Sequence, residues 1–227
     1  MKTCWEDSGM SDLAVSLLAV VAAAAIAGTI LLTVQRARKA RTAALAAFCS
    51  DRGYTLDVVW ERLGKELTVT ADDWRLVSSM RSAANEAQAG SSEWQMQTEW
   101  VSERKNPNRP VFALYCAGGS GEIDALPAWV RAAALEKIKR EIGGAADALG
   151  SARTVFAGRG ATGVVFEPEA MSAQPAVERL EPILSVWREK TPLCIECSPE
   201  RMRLRLPGFY IGTAERLDAV LRIGTAL

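Results

Sequence analysis

The sequence predicts an α+β domain carried behind a single membrane-crossing helix. Three observations lead there. Leu13 to Val34 is an apolar run without a charged residue. Beyond it, short segments rich in β-branched and aromatic residues are grouped with one another, which argues mainly antiparallel pairing. Three later segments carry apolar residues at helical spacing. With 49% hydrophobic and 24% charged residues, the chain has the make-up of a folded protein and not of a disordered one.

The apolar run LAVSLLAVVAAAAIAGTILLTV has 22 residues. As a helix it is about 33 Å long, against a hydrocarbon core of about 30 Å. Ala25-Ile26-Ala27 has the small-x-small form of a signal cleavage site, but the apolar run continues through Ile30, Leu31 and Leu32. The segment before the run is acidic, with Glu6, Asp7 and Asp12 against Lys2, whereas signal peptides open on a basic front. Arg36, Arg38, Lys39 and Arg41 follow the run directly. Basic flanks stay in the cytoplasm, so the N-terminus is expected outside and residues 35–227 inside, at the cell inner membrane. The basic turns are also placed to meet anionic headgroups of the lipid bilayer. Ala24 and Gly28, four apart, allow two such helices to approach closely, so a homodimer is one option. Met10 is an alternative start that leaves this reasoning unchanged.

Five segments are expected: a leader at 1–12, a transmembrane helix at 13–34, a basic juxtamembrane helix at 35–53, an α+β lobe at 54–150 and a ββα-ββα lobe at 151–227. The last two form either one domain or two lobes joined near Gly150. Gly53 suits a helix terminator. Strands are expected at Tyr54 to Trp60, Glu66 to Thr70 and Trp74 to Val77, with a loop over 82–92. Glu93 to Val101 alternates and should pair with Val111 to Cys116 in a meander, across the turn Asn106-Pro-Asn-Arg-Pro110. Leu126 to Leu149 reads as a helix with an apolar stripe from Trp129 to Ile142. Hairpins are expected from Arg153–Ala157 with Gly163–Glu167, and from Pro192–Cys197 with Arg201–Leu206. A helix follows each, from about Gln174 to Lys190 and from a Thr213 cap to Leu227.

The chain has no histidine, which removes Ser-His and Cys-His nucleophile systems and His-ligated metal sites. Its net charge is zero, so no strong field invites nucleic acid. Cys4, Cys49, Cys116, Cys194 and Cys197 are an odd, scattered set, which suits reduced thiols better than a disulfide framework. No cofactor and no metal site is expected. Gly158-Arg-Gly-Ala-Thr-Gly163 matches a dinucleotide pattern, but a strand follows it where a helix is needed. Gly118, Gly119, Ser120 and Gly121 lie between a strand and a helix, the better context for an anion cradle. Cys194-Ile-Glu-Cys197 is a Cys-x-x-Cys inside strand-like sequence, where residues three apart face opposite sides. Arg201, Arg203 and Arg205 alternate with apolar residues and offer a basic row, either to acidic headgroups or an acidic partner, or as a solvated face. Trp94 and Trp100, among seven tryptophans, suit core packing first and a pocket wall or bilayer contact second.

An apolar anchor, a basic stretch and then Phe48-Cys-Ser-Asp-Arg-Gly-Tyr54 together resemble uncharacterised bacterial single-pass membrane proteins with a cytoplasmic strand-rich domain. The resemblance covers residues 13–60 and implies no activity. The expected function is a membrane-tethered cytoplasmic interaction or ligand-sensing module without catalysis, with a protein partner at the membrane. The alternatives are an anchored enzyme using Cys194 and Cys197 or the Gly118–Gly121 loop, and a structural subunit of an envelope complex.

Overall fold

The computed structural model describes residues 8–61, 64–82, 94–118, 126–143, 146, 149–158, 161–169, 173–184 and 191–226. The chain divides into two compact units, Met1–Leu45 and Ala46–Leu227.

Helix α1 runs from Ser8 to Asp51. The expected membrane and juxtamembrane helices are thus one continuous element. None of its apolar window is buried; Leu18 is 73% exposed. The Thr29 and Thr33 hydroxyls donate to the Ala25 and Ile30 carbonyl oxygens, so both are satisfied within the helix. The helix is long and apolar enough to cross a membrane. It ends as the sequence predicts. Gly53 adopts φ +72°, its N–H donates to the Ser50 carbonyl, and the Tyr54 N–H donates to the Cys49 carbonyl at 2.8 Å. This pair of bonds is a Schellman cap, which needs a left-handed residue at Gly53.

Nine strands follow: β1 Thr55–Glu61, β2 Gly64–Thr70, β3 Trp74–Ser82, β4 Trp94–Ser102, β5 Phe112–Gly118, β6 Ser151–Gly158, β7 Ala161–Glu167, β8 Leu193–Cys197 and β9 Met202–Pro207. They form one antiparallel sheet in the order β1-β2-β3-β4-β9-β8-β5-β7-β6. One expectation is corrected here. The meander stops at β4, which pairs with β9 and not with β5; Trp100 stands opposite Leu204. Strands from 54–150 and from 151–227 interleave, with β5 between β8 and β7, so the last third is not a separate sheet. The chain order β5, helix, β6, β7, helix, β8 with spatial order β8-β5-β7-β6 is a split-βαβ arrangement.

The helices divide between the two faces. Helix α2, Ala128–Ile142, lays Ile138 and Ile142 on Ala113, Val164, Phe166 and Cys194. Its first turns stand clear of that core: Trp129, expected in the apolar stripe, is 78% exposed. Helix α3, Gln174–Leu184, and helix α4, Ala214–Thr225, pack together. They cover the opposite face, where Arg153 of β6 donates to Gln174 and Gly224 lies against the Trp100 ring. Thr213 caps α4 by accepting from the Arg216 N–H. Gly158 is paired with Ala161 at the end of the β6–β7 ladder.

A buried polar chain ties the meander to the segment after β9. The Thr98 hydroxyl donates to the Phe209 carbonyl at 2.9 Å, and the Ile211 N–H donates to the Ser78 oxygen at 2.9 Å. Thr98 has spent its one proton, so the 2.8 Å contact between the two hydroxyls has Ser78 donating. Ser78 and Thr98 are fully buried, so this satisfaction is required there.

Candidate functional site

Of the expected glycine loop, Gly118 ends β5, and Gly119, Ser120 and Gly121 lie outside the described residues. The dinucleotide-like pattern passes from β6 to β7, with a strand and no helix after it. Both thiols of the Cys-x-x-Cys are buried within β8. Cys194 joins the core under α2, and its thiol donates to the Glu141 carbonyl. Cys197, three residues on, falls on the opposite face. Burial pushes Cys194 up to about 12 and Cys197 to about 11. Thiols in that state are poor nucleophiles at neutral pH. Among the described residues no three His, Cys, Asp or Glu side chains gather as a metal site.

The basic row on β9 meets carboxylates. Arg203 bonds to Glu99 and lies 3.9 Å from Glu196; Arg205 donates to Glu196 at 3.1 Å; Arg201 lies 3.8 Å from it. Glu196 is buried, so the row is a compensated network on the sheet face and not an open cationic stripe. Arg36, Arg38, Lys39 and Arg41 are exposed along α1. A broad hollow of about 720 Å³ on the uncovered face of β2 to β4 carries both signs, with Arg75 and Arg104 beside Asp72, Asp73, Glu99 and Glu103.

A second cleft has a different character. It lies between the ends of β3 and β4, the turn after β4 and the end of α4, with a volume of about 630 Å³. Its apolar wall includes Trp74, Trp100, Pro107 and Met202. Tyr54 stands edge-on to Trp74 at 4.9 Å, and Trp74 lies 6.3 Å from Trp100. Trp100 presses on α4 where a side chain would collide: a Cβ on Gly224 would come within 2.7 Å of the indole. The polar wall comes from the turn. The Asn106 N–H donates to the Pro199 carbonyl, its side chain accepts from the Asn108 N–H, and the Arg109 N–H donates back to the Asn106 carbonyl. This Asx turn pins Arg109 against the β8–β9 hairpin.

Trp100, expected from the sequence in the core first and in a pocket wall second, is buried and also lines the cleft. In the sequence Arg109 stands only as part of a turn. An arginine between two prolines in a polar segment carries no sign of burial, yet it is 9% exposed. No protein-family model, no curated protein and no solved structure matches the chain.

Proposed function

We propose that the protein is a membrane-tethered interaction and ligand-sensing module without catalytic activity. The N-terminus faces out across the inner membrane, and the sheet domain faces the cytoplasm, where the Trp100–Arg109 cleft serves as its sensing site. The observation that carries this reading is α1: an apolar stretch with no buried part, followed at once by four exposed basic residues. Such a surface is costly in water and suited to a bilayer. The chemistry of the domain supports the non-catalytic half. The thiols of one enzyme alternative, Cys194 and Cys197, are buried and held protonated, and the Trp100–Arg109 cleft offers cations and aromatic rings, its one carboxylate, Asp73, being engaged by Arg104.

Alkaline extraction of membranes, with N-terminal sequencing of the protein recovered, tests the tether. An integral protein that keeps residues before Leu13 supports the reading. A soluble product beginning after Ala27 would identify a cleaved signal and remove it. Crosslinking in intact cells tests the interaction half: a reproducible partner or retained ligand is expected, and recovery of the bare chain alone counts against it.

A further inference from the structure

We propose that the cleft between Trp100, the Asn106–Arg109 turn and the end of α4 binds a small organic anion, a carboxylate or phosphate monoester on a flat apolar body, with Arg109 as its counter-charge. The inference names the ligand class of the sensing site and rests on that reading for its biological meaning. The binding itself can be measured apart from it.

The first observation is an imbalance. Arg109 is nine-tenths buried, yet no carboxylate among the described residues pairs with it. Its side chain makes one long hydrogen bond, from Nη1 to the Ser198 carbonyl at 3.4 Å, and Nε has no partner. Other part-buried arginines of the domain have a carboxylate: Arg153 meets Glu167, Arg203 meets Glu99, and Arg205, whose Nε is likewise without a partner, meets Glu196. A guanidinium held away from water without a counter-charge is costly, and an orphaned buried donor calls for a missing partner. Because its charge is delocalised over three nitrogens, an anion in the cleft that Arg109 lines would offset it without having to reach Nε.

The second observation is the company it keeps. Arg104, Lys105 and Arg109 line the cleft against one carboxylate, Asp73, which Arg104 already engages at 3.4 Å. The α4 C-terminus ends here too, but its dipole supplies only about half a negative charge, less than the cation excess. Asn106 adds a neutral polar group, and the indole Nε1 of Trp100 is a second buried donor without a partner. The tryptophan rings and Pro107 form a flat apolar wall beside these groups. A volume of about 630 Å³ lies within the range of about 300–1,000 Å³ usual for small-molecule sites.

The test uses the full chain in nanodiscs of neutral lipid, with calorimetric titration of phenyl phosphate, benzoate and neutral benzamide. Phenyl phosphate and benzoate should bind and benzamide should not. Arg109→Gln should weaken the anions at least tenfold, and the exposed Lys105→Gln a few-fold. Thermal stability provides the second readout. Without anion, Arg109→Gln should match or exceed the parent, because it removes an unpaired buried charge; phenyl phosphate should raise the melting temperature of the parent only. Discs containing phosphatidylglycerol distinguish the sources: competition with phenyl phosphate identifies a lipid headgroup, and its absence a soluble anion. Equal binding of benzamide, unchanged affinity in Arg109→Gln, or a lower anion-free stability of that variant would each overturn the proposal. Failure here leaves the membrane tether standing, and failure of the extraction experiment leaves these affinities standing.

Discussion

Two halves of one sheet are built from different sequence grammars. Strands β5, β7 and β8 are covered on both faces, and β8 is buried at every position. Their sequences are near-continuous apolar runs: FALYC, GVVFE and LCIEC. Strands β2 to β4 are covered on one face, so burial alternates, as in Trp74, Leu76 and Ser78 against exposed Arg75. The same backbone ladder serves both. What differs is whether a helix lies on the second face, and α2 reaches only one half. The uncovered face of the open half carries charge, with Arg81 between Glu61 and Glu66.

The difference can be broken by mutation. The largest effect belongs to the doubly covered half. Phe166→Ala removes a fully buried ring from the α2 core and should cost about 3–5 kcal/mol in equilibrium unfolding. Next comes the polar link between the open half and the segment after β9. Ser78→Ala strands the Ile211 N–H and takes away the proton Thr98 accepts, and should cost about 1–3 kcal/mol by the same measurement.

A pH experiment sharpens the comparison at the other edge. Burial alone would raise the Glu167 carboxyl, but the Arg153 hydrogen bond, the Ala173 N–H and the Arg153 charge together hold it below its ordinary 4.5. A lowered folded value means a stabilising contribution present above pH 4.5 and lost as pH falls through the folded value. Wild type should therefore exceed Glu167→Gln in stability at pH 7, with the gap closing in acid. A gap independent of pH would contradict this. The smallest effect is expected on the open face: Val59→Thr, at a half-exposed position of edge strand β1, should stay within about 0.5 kcal/mol.

Local features of this fold were legible in the residues. Gly53 ends α1, Thr213 caps α4, and the Cys194 to Cys197 spacing sends two thiols to opposite faces, each through chemistry acting over a few positions. Long-range pairing was not legible. Nothing in Glu93 to Val101 says that its partner lies about a hundred residues away on β9 and not in the next strand. The crossovers were hidden as well. The usual right-handed preference would put α2 and α3 on one face of the split-βαβ order, and they occupy opposite faces. The cleft had half a signal, in the tryptophans. Its cationic member is buried by tertiary packing of a turn, which no local pattern reports.

The proposed tether, and the side of the membrane it would select, underlies the biological reading proposed above. The most direct test is labelling by a membrane-impermeant maleimide in intact cells and in inverted vesicles, with Cys4 as one site and Glu103→Cys, at an exposed position after β4, as the other. The native thiols Cys49, Cys116, Cys194 and Cys197 are buried and should stay silent. Labelling of Cys4 in intact cells and of position 103 only in inverted vesicles is the predicted result. Labelling of position 103 from outside would contradict it.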